Sequence, residues 1–177
     1  MIRIVLTGAE STGKTTLAQA LSGYYGEPWT PEYVREYVDS LSRPLQAQDL
    51  EAIARGQFAV EDAGAAQASR MVFHDTNILS SIIYANHYFG TVLDWVNTDF
   101  LQRDYTHYLL CLPDIPWIAD AGQRESPAAR EQLHGLFKES LDRLKLPYTE
   151  IGGEQGLRAN DAIRLIDSIL ETYTASN

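Results

Sequence analysis

Residues 8–15, GAESTGKT, fit the pattern G-x-x-x-x-G-K-S/T, in which each fixed residue type has a chemical reason. Glycines let the backbone turn tightly and approach a ligand closely, and successive backbone N–H groups can then point at one anion. An apolar, β-branched segment, 2–6, precedes the pattern, and a helical segment, 17–21, follows it. The helix N-terminus adds unpaired donors. This strand, loop and helix together predict a loop that binds the phosphates of a nucleotide.

The lysine and threonine of the pattern predict how the nucleotide is held. Lys14 is expected to reach the outer phosphates as a mobile positive charge, and the Thr15 hydroxyl is expected to bind the Mg²⁺ that bridges them. Thr16 extends the first turn of the helix. The predicted nucleotide contacts are Gly8, Ala9, Glu10, Ser11, Thr12, Gly13, Lys14, Thr15 and Thr16.

A carboxylate follows another apolar strand further along the chain. Asp75 comes directly after residues 71–74, where a P-loop enzyme places the carboxylate that holds Mg²⁺ directly or through water. All three residues of the segment 75–77 are also types that cap helices, so a capping role is an alternative that is compatible with metal binding. We expect Lys14, Thr15 and Asp75 to surround a metal ion.

A charged cluster follows the short strand predicted near residues 27–31. Glu32 and Glu36 are placed where a phosphate acceptor would lie, and Arg35 stands between them. A kinase for small hydroxyl substrates needs a carboxylate that orients the alcohol and accepts its proton. The spacing therefore predicts that Glu32, Arg35 and Glu36 are catalytic, with a solvated charged turn as the alternative.

A proline-rich loop and the helix start that follows it predict a lid over about residues 113–130. Arg124 and Arg130 flank this helix start, and arginines there can supply positive charge to a transferring phosphoryl group while the lid excludes water. Without the P-loop, Arg130 would be interpreted as a helix-surface residue. Trp117 offers a flat face for a ring of the substrate, with buried packing as the alternative. Arg158, after the last predicted strand, is a candidate stacking partner for adenine.

The hydrophobic pattern predicts elements that can position these residues. Short apolar strands alternate with amphipathic helices, which predicts a P-loop NTPase fold of the α/β class: a three-layer sandwich with a five-stranded, mostly parallel sheet. Functional residues are then expected at the carboxyl ends of the strands. The whole chain, 1–177, is expected to form one domain. The helices after the first are predicted over about 45–69, 78–88, 98–105 and 127–144, with a last helix capped by Asn160.

The bulk composition excludes several classes of protein. A formal net charge of −10 makes nonspecific binding to nucleic acid or to an anionic membrane unfavourable. The single cysteine, Cys111, lies in an apolar run and excludes a disulfide framework. No signal peptide or membrane-spanning segment is recognisable, so we expect a cytoplasmic protein.

Five segments in order resemble the ribosylnicotinamide kinase domain of the NAD-biosynthesis protein NadR, and the match extends over essentially the whole chain. They are GAESTGKTTL at 8–17, PEYVREY at 31–37, DTN at 75–77, PDIPW at 113–117 and Arg124. The resemblance implies a P-loop kinase that transfers phosphate from ATP, with Mg²⁺, to the 5′-hydroxyl of nicotinamide riboside. It also implies that Glu32, Arg35 and Glu36 face this substrate, that Asp75 serves the metal or the substrate hydroxyl, and that Arg124 belongs to the lid. Tyr33 is a further expected contact of the substrate.

Two departures from the family pattern bear on the substrate. The family usually has Asp-Thr-Asp at 75–77, whereas this chain has Asn77, which is expected to contact the substrate without a charge. The segment between Asp120 and Arg124 is one residue longer than usual, which alters the register of the lid. NadR also carries adenylyltransferase segments for which this chain has no room, so a stand-alone kinase is expected.

Two other functions fit the same features. A nucleoside or nucleoside-monophosphate kinase of the thymidine type has the same order of P-loop, acidic cluster, strand-end aspartate and arginine lid. A nucleotide-binding regulatory module without kinase activity is the alternative from a different class. No Asn-Lys-x-Asp segment is present to bind guanine, which argues against a GTPase switch.

Overall fold

The computed structural model describes residues 1–91, 93–116 and 127–175. Five apolar segments in this part of the chain pair as parallel strands in the order β2-β3-β1-β4-β5. The five-stranded sheet predicted as mostly parallel is therefore parallel throughout. The strands are β1 (Ile2–Thr7), β2 (Trp29–Thr30), β3 (Met71–Asp75), β4 (His107–Cys111) and β5 (Tyr148–Ile151).

Helices connect the strands, as parallel pairing requires. A 3₁₀ turn, Ala47–Asp49, comes before the third helix. The helices are α1 (Lys14–Tyr25), α2 (Tyr33–Asp39), α3 (Leu50–Gln67), α4 (Ile78–Phe89), α5 (Asp94–Leu101), α6 (Pro127–Leu144) and α7 (Gln155–Ala175).

The two faces of the sheet carry separate apolar cores, which confirms the three-layer prediction. On one face, Ile4 and Leu6 of β1 pack with Leu17 of α1 and Ile166 of α7. On the other face, Val5 belongs to a cluster built with α3, α4, α5 and α6. Successive side chains of a strand point to opposite faces, so one strand contributes to both cores. Within the described residues, no helix is long and apolar enough to cross a membrane.

Three helices differ from the sequence-based expectation. α5 spans Asp94–Leu101, so the helix predicted over 98–105 is displaced, because residues 102–106 already lead into β4. α7 begins at Gln155, where the N–H of Arg158 donates to the carbonyl of Glu154. Asn160 therefore lies inside this helix and does not cap it. The charged cluster after β2 forms a helix, α2, and its pattern was too short to indicate one.

Candidate active site

The loop between β1 and α1 starts at the carboxyl end of the central strand. Gly8 has φ 128°, and a Cβ there would lie 2.8 Å from the carbonyl oxygen of Cys111 on β4, so the close approach requires glycine. Gly13, with φ 80°, leads directly into the first turn of α1. The remaining residues from Ala9 to Thr12 close the loop, in which the Thr12 hydroxyl donates to the Ala9 carbonyl at 2.8 Å.

Lys14 is buried and its ammonium group lies against this loop. Its Nζ donates to the carbonyl oxygens of Gly8 at 3.0 Å and Ala9 at 2.7 Å. These carbonyls hold the positive charge of Lys14 against the loop, while Thr16 in the first turn of α1 is exposed. The arrangement suits capture of an anion at the N-terminus of α1.

Asp75 lies beside the loop because β3 pairs with β1 in the register that sets Leu6 against Asp75. The Thr15 hydroxyl donates to Asp75 Oδ2 at 2.5 Å. The other carboxylate oxygen, Oδ1, is buried and accepts no hydrogen bond from the described residues. Burial raises the pKa of Asp75 above its usual value, although the Lys14 ammonium and the Thr15 hydroxyl oppose this effect.

This donor set fits Mg²⁺. A buried carboxylate oxygen without a protein donor, next to a threonine hydroxyl, leaves room for a hard cation with oxygen ligands. No group of three or more His, Cys, Asp or Glu side chains that could hold a metal occurs in the described ranges. Mg²⁺ commonly keeps waters and phosphate oxygens and needs only one or two carboxylates from the protein. Thr15 and Asp75 are the residues that would hold it.

The charges of Glu32 and Arg35 also act on Asp75. Arg35 Nε donates to Glu32 Oε2 at 2.9 Å, and the two charges act in opposite directions on the pKa of Asp75. Glu32 precedes α2 with its side chain 15% exposed, while Arg35 and Glu36 are exposed on the helix itself. Four of the predicted site residues are thus close enough to Asp75 to affect its pKa: Lys14, Thr15, Glu32 and Arg35.

The position of α2 depends on a glycine in α3. A Cβ on Gly56 would lie 1.9 Å from the ring of Tyr33, so the two helices approach only because this residue has no side chain. The Tyr33 backbone N–H also donates to Gln57 Oε1 at 3.1 Å. Tyr33 is half-buried against α3, and this contact fixes the N-terminus of α2 and with it Glu32.

A buried carboxylate that the sequence analysis missed extends this support. Glu61 is fully buried, and its Oε1 accepts from Gln57 Nε2 at 3.2 Å and from the Ile78 N–H at 3.1 Å. Its Oε2 accepts from the Tyr105 hydroxyl at 2.5 Å. Burial holds the pKa of Glu61 above its ordinary value, although these donors oppose the effect. A signal was present, because polar residues 57 and 61 lie on the apolar face of α3.

Asn77 is placed differently from the predicted substrate contact. It is fully buried and caps α4, where its Oδ1 accepts from the Leu79 N–H at 3.2 Å. Its Nδ2 donates to the Tyr108 hydroxyl at 3.0 Å. Both ends of the amide are engaged inside the fold, so Asn77 is a capping residue in this structure.

Arg130 lies at the start of α6 and is buried against the P-loop. Its guanidinium donates to the carbonyls of Pro113 at 2.9 Å, Ile115 at 3.0 Å and Ser11 at 3.4 Å. It therefore joins the described part of the predicted lid region, 113–116 and 127–130, to the nucleotide loop. The other two residues predicted there, Trp117 and Arg124, lie outside the described residues.

Arg158 does not occupy the position expected of an adenine-stacking residue. Only 3% of it is exposed, and its guanidinium donates to the Thr12 carbonyl at 2.7 Å and the Leu112 carbonyl at 3.0 Å. A guanidinium enclosed in this way has no free face for a base. Arg158 instead donates from α7 to a backbone carbonyl of the P-loop, which spacing along the chain could not indicate.

The sequence of this chain is similar to those of known proteins. A family profile described as "AAA domain" matches residues 3–156. The trifunctional NAD biosynthesis/regulator protein NadR of Escherichia coli K12 is 26% identical over 159 residues, covering 85% of this chain and 38% of that protein. The chain therefore spans less than two fifths of that relative. The resemblance to NadR predicted from the motifs is confirmed.

Solved structures confirm the P-loop kinase fold. NadR in complex with NR superposes with a TM-score of 0.82 at 22% identity, covering 94% of this chain and 51% of that one. NadR in complex with NAD and AMP-PNP gives 0.81 at 21%, with 94% and 49% covered. Thymidylate kinase from Ehrlichia chaffeensis gives 0.65 at 16%, with 93% and 98% covered. By the match over residues 3–156, the chain belongs to the AAA domain family.

Proposed function

We propose that this protein is an ATP-dependent kinase that phosphorylates the 5′-hydroxyl of nicotinamide riboside and forms nicotinamide mononucleotide. The observation that carries the proposal is the hydrogen bond from Thr15 to Asp75, a carboxylate whose pKa also responds to the charges of Lys14, Glu32 and Arg35. The carboxyl ends of β1, β3 and β2 thus carry, in turn, a phosphate-binding loop, a candidate metal ligand and a candidate carboxylate for the acceptor. The similarity to NadR, for which a complex with NR is known, supports the choice of acceptor.

In the proposed mechanism, the backbone N–H groups of the P-loop and Lys14 hold the phosphates of ATP. Lys14 offsets negative charge on the outer phosphates, where charge is redistributed during transfer. Mg²⁺, when bound by Thr15 and Asp75, would supply further charge neutralisation on the phosphate oxygens. Arg124 and Arg130 are proposed to act from the lid region, with Arg130 already in contact with the loop at Ser11.

Glu32 is the residue proposed to bind the hydroxyl group of the acceptor. Asp75 accepts from the Thr15 hydroxyl beside the P-loop, which suits it to metal binding, whereas Glu32 precedes α2 and accepts from Arg35. Glu32 is proposed to orient the 5′-hydroxyl and accept its proton, so that the oxygen can attack the terminal phosphate. Arg35 holds the carboxylate, and Tyr33 fixes the start of α2, which carries Arg35 and directly follows Glu32.

We further propose that residues 1–177 form a single kinase domain with the lid at about 113–130. The five strands and the helices of both layers are present in the described residues, and the family match ends at 156, inside α7.

The test is phosphate transfer from ATP with Mg²⁺ to a panel of acceptors, with the products identified by mass. Nicotinamide riboside, thymidine, uridine, deoxyadenosine and the common monophosphates form the panel. We expect nicotinamide mononucleotide to form selectively. Failure to phosphorylate nicotinamide riboside, with efficient transfer to another acceptor, would contradict the proposed substrate and keep the kinase mechanism.

A thymidine-type nucleoside or nucleotide kinase is the second candidate. The observation that favours it is the superposition on thymidylate kinase, which covers 93% of this chain with a TM-score of 0.65. A regulatory module would bind ATP and transfer phosphate to none of the acceptors. The same panel separates all three functions.

A further inference from the structure

Arg158 joins three loops at the carboxyl edge of the sheet. These loops are the P-loop, the segment after β4 that begins at Leu112 and the turn after β5 at Gly153. The guanidinium donates to the carbonyls of Thr12 and Leu112, and its Nε donates to the Gly153 carbonyl at 2.6 Å. One side chain on α7 therefore satisfies a backbone acceptor in each loop.

Asp114 completes this arrangement from the segment after β4. Its Oδ1 accepts from Arg158 Nη2, and its Oδ2 accepts from the Gly153 N–H at 2.6 Å. The carboxylate thus links the same turn to the same guanidinium, while its own side chain remains 38% exposed. A Cβ on Gly152 would lie 2.7 Å from Asp114 Oδ2, so the turn and the carboxylate are closely packed.

The chemistry of the guanidinium explains why arginine suits this position. Its planar fork presents donors in several fixed directions at once, whereas a lysine ammonium is a single centre on a flexible stem. Arg158 donates one hydrogen bond from Nε, one from Nη1 and two from Nη2, to the Leu112 carbonyl and to Asp114. A lysine would keep the charge but could not reach three separate carbonyls.

We propose that Arg158 and Asp114 form a positioning pair that holds the P-loop and the turn after β5 in register for the donor nucleotide. This inference rests on the proposed function, in which ATP lies against these loops. Arg158 acts through the Thr12 and Gly153 carbonyls and does not touch the phosphates. Because the acceptor-side residues Glu32 and Arg35 lie at the start of α2 and, in the described part of the chain, make no hydrogen bond with this pair, the pair sets donor affinity and leaves acceptor affinity nearly unchanged.

The experiment compares Arg158→Lys and Asp114→Ala with matched controls on the surface of the same helix. Arg164 and Asp161 form an exposed ion pair one to two turns further along α7, so Arg164→Lys and Asp161→Ala make the same chemical changes away from the loops. Binding of AMP-PNP with Mg²⁺ is measured by calorimetry for each protein, and binding of nicotinamide riboside is measured alongside it. Amide hydrogen exchange is followed by mass spectrometry in the proteins without nucleotide.

We expect each variant of the pair to weaken AMP-PNP binding about tenfold or more and to change nicotinamide riboside binding less than about twofold. Exchange should accelerate in peptides covering the P-loop and residues 152–154, while α2 keeps its wild-type rates. The double variant should bind AMP-PNP about as weakly as the worse single variant, because the two residues act as one unit. The Arg164 and Asp161 variants should match the wild type throughout.

Wild-type AMP-PNP affinity in either folded variant would overturn the inference. Equal acceleration of exchange in the loops and in α2 would also overturn it, because the pair would then support general stability only. If Arg158→Lys does not fold, Asp114→Ala alone decides the question by the same two measurements. A wild-type protein that binds no AMP-PNP would count against the proposed function, and the exchange rates would still test the positioning role.

Discussion

The environment of Asp75 suits the metal-binding role that we propose for it. Burial opposes ionisation of this group, and the Lys14 ammonium and Thr15 hydroxyl favour it. Thr76, the next residue, adopts φ 72°, a conformation that costs a non-glycine residue free energy and is common beside active sites. The chain therefore turns sharply directly after the carboxylate, and Asn77 caps the helix that begins there.

The two glutamates of the acceptor cluster are expected to differ in importance. Glu32→Gln should lower kcat by about 10²-fold or more, because the amide orients the hydroxyl but accepts no proton. Glu36→Gln should leave kcat within about twofold, since Glu36 is exposed on α2 and loses only a solvated charge. Steady-state kinetics of both variants give the comparison. Normal turnover by Glu32→Gln would move the base to another group.

The sequence could predict the residues whose types and local pattern define the site. The P-loop, Asp75 at its strand end and Glu32 beside β2 are brought close together, as the parallel pattern required. It could not predict the role of Arg158, and for Asn77 it offered both a helix cap and a substrate contact, because spacing along the chain does not say whether a side chain points toward a ligand or into the fold. Glu61 was missed because a helix with apolar spacing was assumed to bury only apolar groups.

At the scale of elements, α2 packs against α3 through the contact of the Tyr33 ring with Gly56. Gly56→Ala should displace the Tyr33 ring, since the new Cβ would lie 1.9 Å from it. We expect kcat/KM for the acceptor to fall about tenfold or more, because misplacement of Glu32 disrupts the orientation of the hydroxyl. The KM for ATP should change little, and initial rates at varied acceptor and ATP concentrations measure both effects.

Gly135→Ala is the matched control for this helix substitution. Gly135 is exposed on α6, and a Cβ there would meet nothing within 4 Å. Alanine should raise the free energy of unfolding by up to about 1 kcal/mol through its better helix propensity, with unchanged kinetics. If Gly56→Ala behaves in the same way, the contact with Tyr33 does not position α2.

Glu27 stabilises the edge of the sheet by joining two turns. Its buried carboxylate accepts from the Ser69 N–H at 2.9 Å and the Arg70 N–H at 3.1 Å. Burial raises the pKa of Glu27, but these donors and the Arg70 guanidinium together lower it below its ordinary value of 4.5. A lowered pKa in the folded state means that ionised Glu27 stabilises the protein above that value.

The stabilisation by Glu27 should therefore depend on pH. Glu27→Gln is expected to lower the free energy of unfolding by about 1 kcal/mol or more at pH 7, because hydrogen bonds to a charged group are lost. The difference from wild type should shrink as the pH falls through the folded pKa, below 4.5. Urea unfolding across this range measures it, with the exposed Glu51→Gln as control. A difference independent of pH would contradict the role of the charge.

At the scale of the whole molecule, the sheet explains why residues far apart in sequence meet. The order β2-β3-β1-β4-β5 places the P-loop strand at the centre, with Asp75 on one neighbour and the Leu112 segment on the other. The class, the parallel sheet and the covering helices could all be predicted from alternating apolar segments. The ends of α5 and α7 could not, because strand pairing and backbone bonds at Glu154 determine them.

The net charge of −10 means that the molecule as a whole does not attract ATP. Capture of the nucleotide must come from Lys14 and the oriented N–H groups of the loop. Mg²⁺ with AMP-PNP at 100 times its dissociation constant should stabilise the fold by about 2.7 kcal/mol. Chelation of Mg²⁺ should remove most of this gain, and thermal unfolding with and without EDTA measures the difference.

The most direct test of the proposed kinase is the stoichiometry of ADP and nicotinamide mononucleotide during turnover of nicotinamide riboside with ATP and Mg²⁺. We expect one ADP for each mononucleotide, and loss of both products in Lys14→Ala but not in Lys138→Ala, which removes an exposed lysine paired with Glu150. ADP formed without mononucleotide, or equal activity in Lys14→Ala, would contradict the account.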